Sequence, residues 1–246
     1  ETYNLKVVTD TAQAPGTFNK NRKTGTFSHI GGFSLNYHKH IHTGEGGIIV
    51  TNDYDLYQRA ALIRNHGEAV VGKMNINHLN NIIGQNYRLG EIECAIGIEQ
   101  LKKLDNLILS RQNIAEKLNK GLFDLPGLHI PYVTPGNTHA YYCYPIILDC
   151  DKLEIPREII VKALEAEGVE GLMNGYTNIH MLPIFQNKIA YGKKGFPWRG
   201  SLGIREIDYS KGICPIAEEL HDHSFMGFQM CLHELTDNEI KKTIQA

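Results

Sequence analysis

Gly32-Phe33-Ser34-Leu35-Asn36-Tyr37-His38-Lys39-His40-Ile41-His42-Thr43-Gly44-Glu45-Gly46-Gly47 is the stretch on which the reading of this chain turns. Its first four residues predict a short strand, residues 36–42 a polar connection, and Gly44 to Gly47 a glycine-rich turn. Ile48-Ile49-Val50-Thr51 follows as another strand closed by Asn52-Asp53. Leu56, Ala60, Leu62 and Ile63 then recur at helical spacing, which predicts a helix from Tyr54 to Asn65. Working back, Leu5 to Thr9 is a β-branched run of the kind found in buried strands, ending at Asp10-Thr11-Ala12-Gln13-Ala14. Gly16 to Ser28 is polar, basic and loop-like. Short apolar strands alternating with helices predict an α/β layer architecture.

Working forward, Gly67 to Gly84 has weak periodicity and reads as an irregular, Asn-containing excursion. From Gly90 the pattern turns helical, with Ile92, Ala95, Ile96, Ile98, Leu101 and Leu104 on a broad apolar face, and a second helix is expected from Leu107 to Leu122. Asp124-Leu125-Pro126-Gly127 breaks it, so a domain boundary is placed there, between residues 1–123 and 124–246. Beyond it come a strand at Tyr141 to Leu148, a helix from Pro156 to Gly168, and aromatic-bearing loops from Met173 to Asp208. Thr236 with Glu239 forms a capping box for a last helix. The second half therefore reads as a small α+β domain.

The 246 residues carry 25 Lys plus Arg against 27 Asp plus Glu, a net charge of −2. That balance leaves no strong field for nucleic acid or an anionic membrane. The cations Lys20, Arg22 and Lys23 read as a solvated turn. No apolar run approaches the about 20 residues that span a bilayer. Five cysteines without a Cys-x-x-Cys pair read as reduced thiols of a cytoplasmic protein. The start, Glu1-Thr2-Tyr3-Asn4-Leu5, has neither initiator Met nor signal segment and reads as a piece of a longer chain.

Asp10 past a strand, Ser34 in a strand, Lys39 after it and Asn86-Tyr87-Arg88 ahead of a helix each have an ordinary structural reading: turn or cap, strand residue, solvated cation. As a set they match what pyridoxal phosphate demands. A lysine must form a Schiff base and later move protons, an acid must keep the pyridine nitrogen protonated, and hydroxyl and amide donors must hold the phosphate.

Val8-Thr9-Asp10-Thr11-Ala12-Gln13-Ala14, Gly32 to Lys39, Thr43 to Gly47, Arg64-Asn65-His66-Gly67 and Asn86 to Ile92 resemble, in order and spacing, the sugar aminotransferases called DegT/DnrJ/EryC1/StrS. His139 to Leu148 and His180-Met181-Leu182-Pro183 resemble that family's small C-terminal domain. The resemblance implies a fold-type I PLP-dependent transferase, with part of its large α/β domain followed by the small α+β domain. It implies Lys39 as the Schiff-base lysine, Asp10 as partner of the pyridine nitrogen, Gln13 beside the ring and Ser34 on the phosphate. Asn86 would reach the phosphate in the neighbouring subunit of a homodimer with shared active sites, and His180 would contact substrate. The implied reaction moves an amino group from glutamate or glutamine to a keto group of a nucleotide-linked sugar, for cell-surface polysaccharide or secondary-metabolite sugars. Elements expected before Glu1 would include the aromatic residue stacked on the pyridine ring.

A dehydratase branch of the family carries a histidine in place of the lysine. Here the position is Lys39 and the histidine comes one residue later, at His40. A lysine can return an amino group and an imidazole cannot, which favours transamination. The rival of another class is a non-catalytic homologue serving as a binding or assembly module. His38, His40 and His42 alternate, which in a strand would put three imidazoles on one face, but no thiolate and only Glu45 stands near in sequence, so no metal is expected. His233-Glu234 lacks the second histidine of a zinc-protease motif, and Gly44 to Gly47 lacks a P-loop lysine. Arg88, Tyr176 and Trp198 read equally well as structural residues.

Overall fold

In the first β-strand, β1 (Val8–Asp10), the chain runs parallel to β4 (Ile30–Ser34), with Asp10 opposite Gly32. This computed structural model describes residues 3–68, 82–199 and 206–246. Between β1 and β4, β2 (Phe18–Asn19) and β3 (Arg22–Lys23) form an antiparallel hairpin within the stretch expected to be loop. Its strands are too short to leave an alternation in the sequence, and distant residues hold it. The Phe18 amide donates to Thr138 Oγ1 and the Lys20 amide to Asn137 Oδ1.

Antiparallel β5 (Gly47–Val50) completes a sheet of order β1-β4-β5. Helix α1 (Tyr54–Arg64) starts where Asp53 accepts from the amides of Asp55 and Leu56 and buries Ala61 and Leu62, while Ile63 is exposed. α2 (Glu91–Leu101) and α3 (Leu104–Leu122) follow. Leu104 and Ile108 of α3 pack with Leu35 and Ile41 in one apolar cluster, flanked by Leu89 and Leu107.

Burial departs from expectation at two places. β1 is an edge strand whose Val8 is 71% exposed, so the Leu5 to Thr9 run is not a buried strand. α2 buries none of its residues, and Ile92 on it is 75% exposed. The expected excursion from Gly67 to Gly84 lies mostly outside the described residues.

The second half contains β6 (Leu128–His129), β7 (Tyr144–Leu148), the short α4 (Cys150–Leu153), α5 (Arg157–Ala166) and β8 (Leu172–Asn174). A 3-10 turn (Ile179–Met181), α6 (Pro183–Gln186), α7 (Pro215–Glu219), a π-helical turn (Leu220–Ser224), β9 (Phe225–Phe228) and α8 (Asp237–Gln245) follow. The antiparallel sheet has order β6-β7-β9-β8. Tyr144, Ile146 and Leu148 point to its buried face at every second position of β7, as a sheet covered on one side requires. β7 starts three residues later than expected because Tyr141 takes a left-handed φ of 51°, which no strand accommodates.

The chain divides into two compact units. The first comprises Glu1–Lys117, Tyr132–Cys143 and Met230–Glu234; the second comprises Leu118–Pro131, Tyr144–Gln229 and Leu235–Ala246. Two short segments of the second half thus belong to the first unit.

Candidate active site

Asp10 and Ser34 close β1 and β4, and since these strands are parallel both end at the same sheet edge. Paired residues point to one face and the pleat repeats every second residue, so Asp10, Gly32 and Ser34 share a face. A Cβ built on Gly32 would meet nothing within 4 Å, which leaves that face open between the carboxylate and the hydroxyl. The other face is closed, for a Cβ on Gly31 would collide with the Gly25 carbonyl oxygen. Asp10 Oδ1 accepts from the Ala12 amide at 3.0 Å, and Ser34 Oγ from the Asn36 amide at 3.3 Å.

From Ser34 the chain passes into the loop that carries Lys39. The Leu35 amide donates to the Gly46 carbonyl and the Thr43 amide to the Leu35 carbonyl, which clamp the loop ends together. The Asn36 amide group donates to both Glu45 carboxylate oxygens, at 2.7 and 2.8 Å. Gly44, at φ 88°, makes the reversal that these clamps require. The Lys39 Nζ stands 4.5 Å from the centroid of the Tyr142 ring and has no carboxylate partner among the described residues.

The three alternating histidines lie in this loop and not in a strand, so they do not converge on one point. His38 Nδ1 shares a 2.8 Å hydrogen bond with the Tyr142 hydroxyl, His42 is exposed, and His40 Nε2 donates to the Ala140 carbonyl at 2.9 Å. Burial pushes His40 down to about 4, against the pull of that carbonyl and helped by the positive charges of Arg111 and Lys39. Its ring is therefore neutral near pH 7 and its Nδ1 is buried without a partner. Cys231, in the same unit, is pushed up to about 11 by burial, which makes it a poor nucleophile.

The remaining candidates are more scattered. Gln13 is exposed in the turn just after β1. Asn86 is exposed, pairs by a single antiparallel bridge with Asn65, and accepts from the Arg88 amide at 3.3 Å. His180 sits in the second unit, buried, with its Nε2 donating to Glu218 Oε1 at 2.8 Å. Burial opposes the charge of Glu218, but the Gly212 and Cys214 amides and the His180 ring hold its carboxyl below the usual range. Gln186 Nε2 donates to the His180 carbonyl, fixing the same loop from the other side. Tyr142 carries no sequence signal of its own, because its partner His38 lies 104 positions away.

Residues 1–203 match the model of the DegT/DnrJ/EryC1/StrS aminotransferase family. The GDP-perosamine synthase of Vibrio cholerae is 30% identical over 214 residues, covering 86% of this chain and 56% of that protein. The UDP-4-amino-4,6-dideoxy-N-acetyl-beta-L-altrosamine transaminase of Helicobacter pylori is 30% identical over 192 residues, 76% of this chain and 48% of that one. Among solved structures, an aminotransferase from Psychrobacter cryohalolentis superposes with a TM-score of 0.77 at 26% identity, over 99% of this chain and 61% of its own. The chain thus spans about half the length of the curated relatives it matches.

Proposed function

The chain belongs to the DegT/DnrJ/EryC1/StrS aminotransferase family, and from that premise we propose that it carries the reactive lysine and part of the cofactor cradle of an enzyme that transfers an amino group to a nucleotide-linked keto sugar. Its fold is that of PLP-dependent aminotransferases. The observation that carries the proposal is the open face at Gly32, flanked by Asp10 and Ser34, with Lys39 on the loop that leaves it.

That donor set fits pyridoxal phosphate. The bare glycine leaves room for a flat ring, the carboxylate suits a protonated ring nitrogen, and the hydroxyl suits a phosphate. When bound, the cofactor supplies an aldehyde that takes up amines and a ring that withdraws electrons. Asp10 Oδ2, which makes no hydrogen bond among the described residues, would hold the proton on the ring nitrogen. Ser34 Oγ would donate to the phosphate. Lys39 Nζ would carry the cofactor at rest and, once displaced by the amino donor, would take and return the proton at the substrate carbon. Gln13 would lie beside the ring, and Asn86 would serve the phosphate of the second subunit in a homodimer. His180 has only Nδ1 left for a substrate, since Nε2 is engaged by Glu218. Residues 1–123 would be the C-terminal part of the large domain and 124–246 the small one, apart from the two segments of the second half that belong to the first compact unit.

Glutamate or glutamine is the proposed donor, and the cytoplasm the proposed location. No helix among the described residues is long and apolar enough to cross a membrane. Dehydration is disfavoured by the state of His40: buried, neutral and bonded to a carbonyl oxygen, it is not placed to take over from Lys39.

The test is spectroscopic and chemical. Pyridoxal phosphate should give the purified protein a visible absorption band that glutamate bleaches, and borohydride should fix the cofactor on the peptide containing Lys39. Lys39→Ala should lose the band and the modified peptide. A band that survives in K39A would overturn the assignment. With nucleotide-linked keto sugars, mass spectrometry should find nitrogen incorporated; a deoxy-keto product without nitrogen would instead mean dehydration.

A further inference from the structure

We propose that Tyr142 is a positioning residue for Lys39, its ring face seating the lysine ammonium and its hydroxyl, bonded to His38, fixing the ring's tilt; this rests on the function proposed above for Lys39. The Nζ lies 4.5 Å from the ring centroid, inside the distance at which an aromatic quadrupole attracts a cation. The ring is held on several sides. The hydroxyl meets His38 Nδ1 at 2.8 Å, and the ring of His40 is 6.4 Å away on a residue anchored to Ala140.

The backbone that delivers Tyr142 is strained and braced. Tyr141, next to it, has φ 51°, a conformation uncommon for any residue with a side chain. It persists because the Tyr141 amide donates to His139 Nδ1 at 2.8 Å, Gln112 Nε2 donates to the His139 carbonyl at 2.9 Å, and His40 Nε2 donates to the Ala140 carbonyl. These bonds commit the segment before β7 to turning Tyr142 toward the lysine loop. Both bonding partners on that loop, His38 and His40, flank Lys39 itself. A cation seated on a ring face is held without forming a bond that would compete with its chemistry.

The test reads Lys39 directly, with no cofactor present. Acetylation of Lys39 by N-acetoxysuccinimide, followed by mass spectrometry across pH 7–11, should be about fivefold faster in Tyr142→Leu than in wild type at the low end, the ratio that about 1 kcal/mol of cation–π attraction gives. The ratio should fall toward one at the high end of that range, where a cation–π contribution is lost. Tyr142→Phe should stay within twofold of wild type, and Tyr142→Trp, with the stronger ring, should be slower. A Tyr142→Leu ratio of one overturns the proposal, and so does a ratio constant across pH, which would report access alone. If Tyr142→Leu does not fold, the Trp-against-Phe comparison decides, and Trp equal to or faster than Phe overturns it. Borohydride fixation of pyridoxal phosphate on wild-type Lys39 tests the functional reading separately.

Discussion

His40 shows how a single side chain couples the lysine loop to acidity. Its ring is buried and hydrogen-bonded to Ala140, and desolvation first of all holds it near 4, below the ordinary 6.5. A histidine depressed in the folded state stabilises the fold above its unfolded pKa, and that stability is lost as pH falls through the interval between the two values. Between pH 7 and pH 5 wild type should therefore lose about 2 kcal/mol that His40→Gln does not lose. Urea unfolding at the two pH values checks this, and equal losses in both proteins would show that other groups carry the pH dependence. The neighbouring residues were unequal in what the sequence disclosed. Asp10 and Ser34 were legible in the sequence at the end of one strand and within another, and the structure puts them at the ends of β1 and β4 with Lys39 on the loop that follows. The partner of Lys39 was not legible, since Tyr142 reaches it through a bend at Tyr141 that no local pattern announces.

Among the elements, the π-helical turn Leu220–Ser224 depends on a residue far from it in sequence. Arg157, buried at the start of α5, donates through one guanidinium nitrogen to the carbonyls of Leu220, His221 and Phe225. A second guanidinium nitrogen donates to the Asp222 carbonyl and to Glu158. Wide helical turns leave carbonyls without regular partners, and here one cation collects them. Arg157→Met should destabilise the protein by about 3 kcal/mol, because it removes a buried guanidinium from several part-buried acceptors at once. Chemical denaturation would measure it, and a loss below about 1 kcal/mol would mean that water replaces the guanidinium. Nothing in Leu220 to Ser224 foretells this turn. α8 was fully legible, since its cap is written within four residues and the structure forms both bonds between Thr236 and Glu239. The place of β1 was legible but its exposure was not, because β-branched composition reports strand propensity and not what lies against the strand.

At the scale of the molecule, the proposed sharing of sites between subunits makes a prediction that a self-contained site does not. If Asn86 serves the neighbour's cofactor, Lys39→Ala and Asn86→Ala proteins should each be inactive alone. Mixed in equal parts under conditions that exchange subunits, they should recover about a quarter of wild-type activity, since half of the dimers are mixed and each holds one intact site. No recovery after verified exchange would place Asn86 in its own subunit's site. Family and fold class were readable from motifs, but the return of Tyr132–Cys143 and Met230–Glu234 to the first unit from beyond the Asp124-Leu125-Pro126-Gly127 turn was not. That return has a consequence for inheritance. A recombination event joining two homologous genes at that turn would bring in, with the new C-terminal half, the other gene's residue at position 142 and the other gene's segment supplying the carbonyl that accepts from His40. Chimaeras made there would alter the surroundings of a lysine encoded in the half they left untouched.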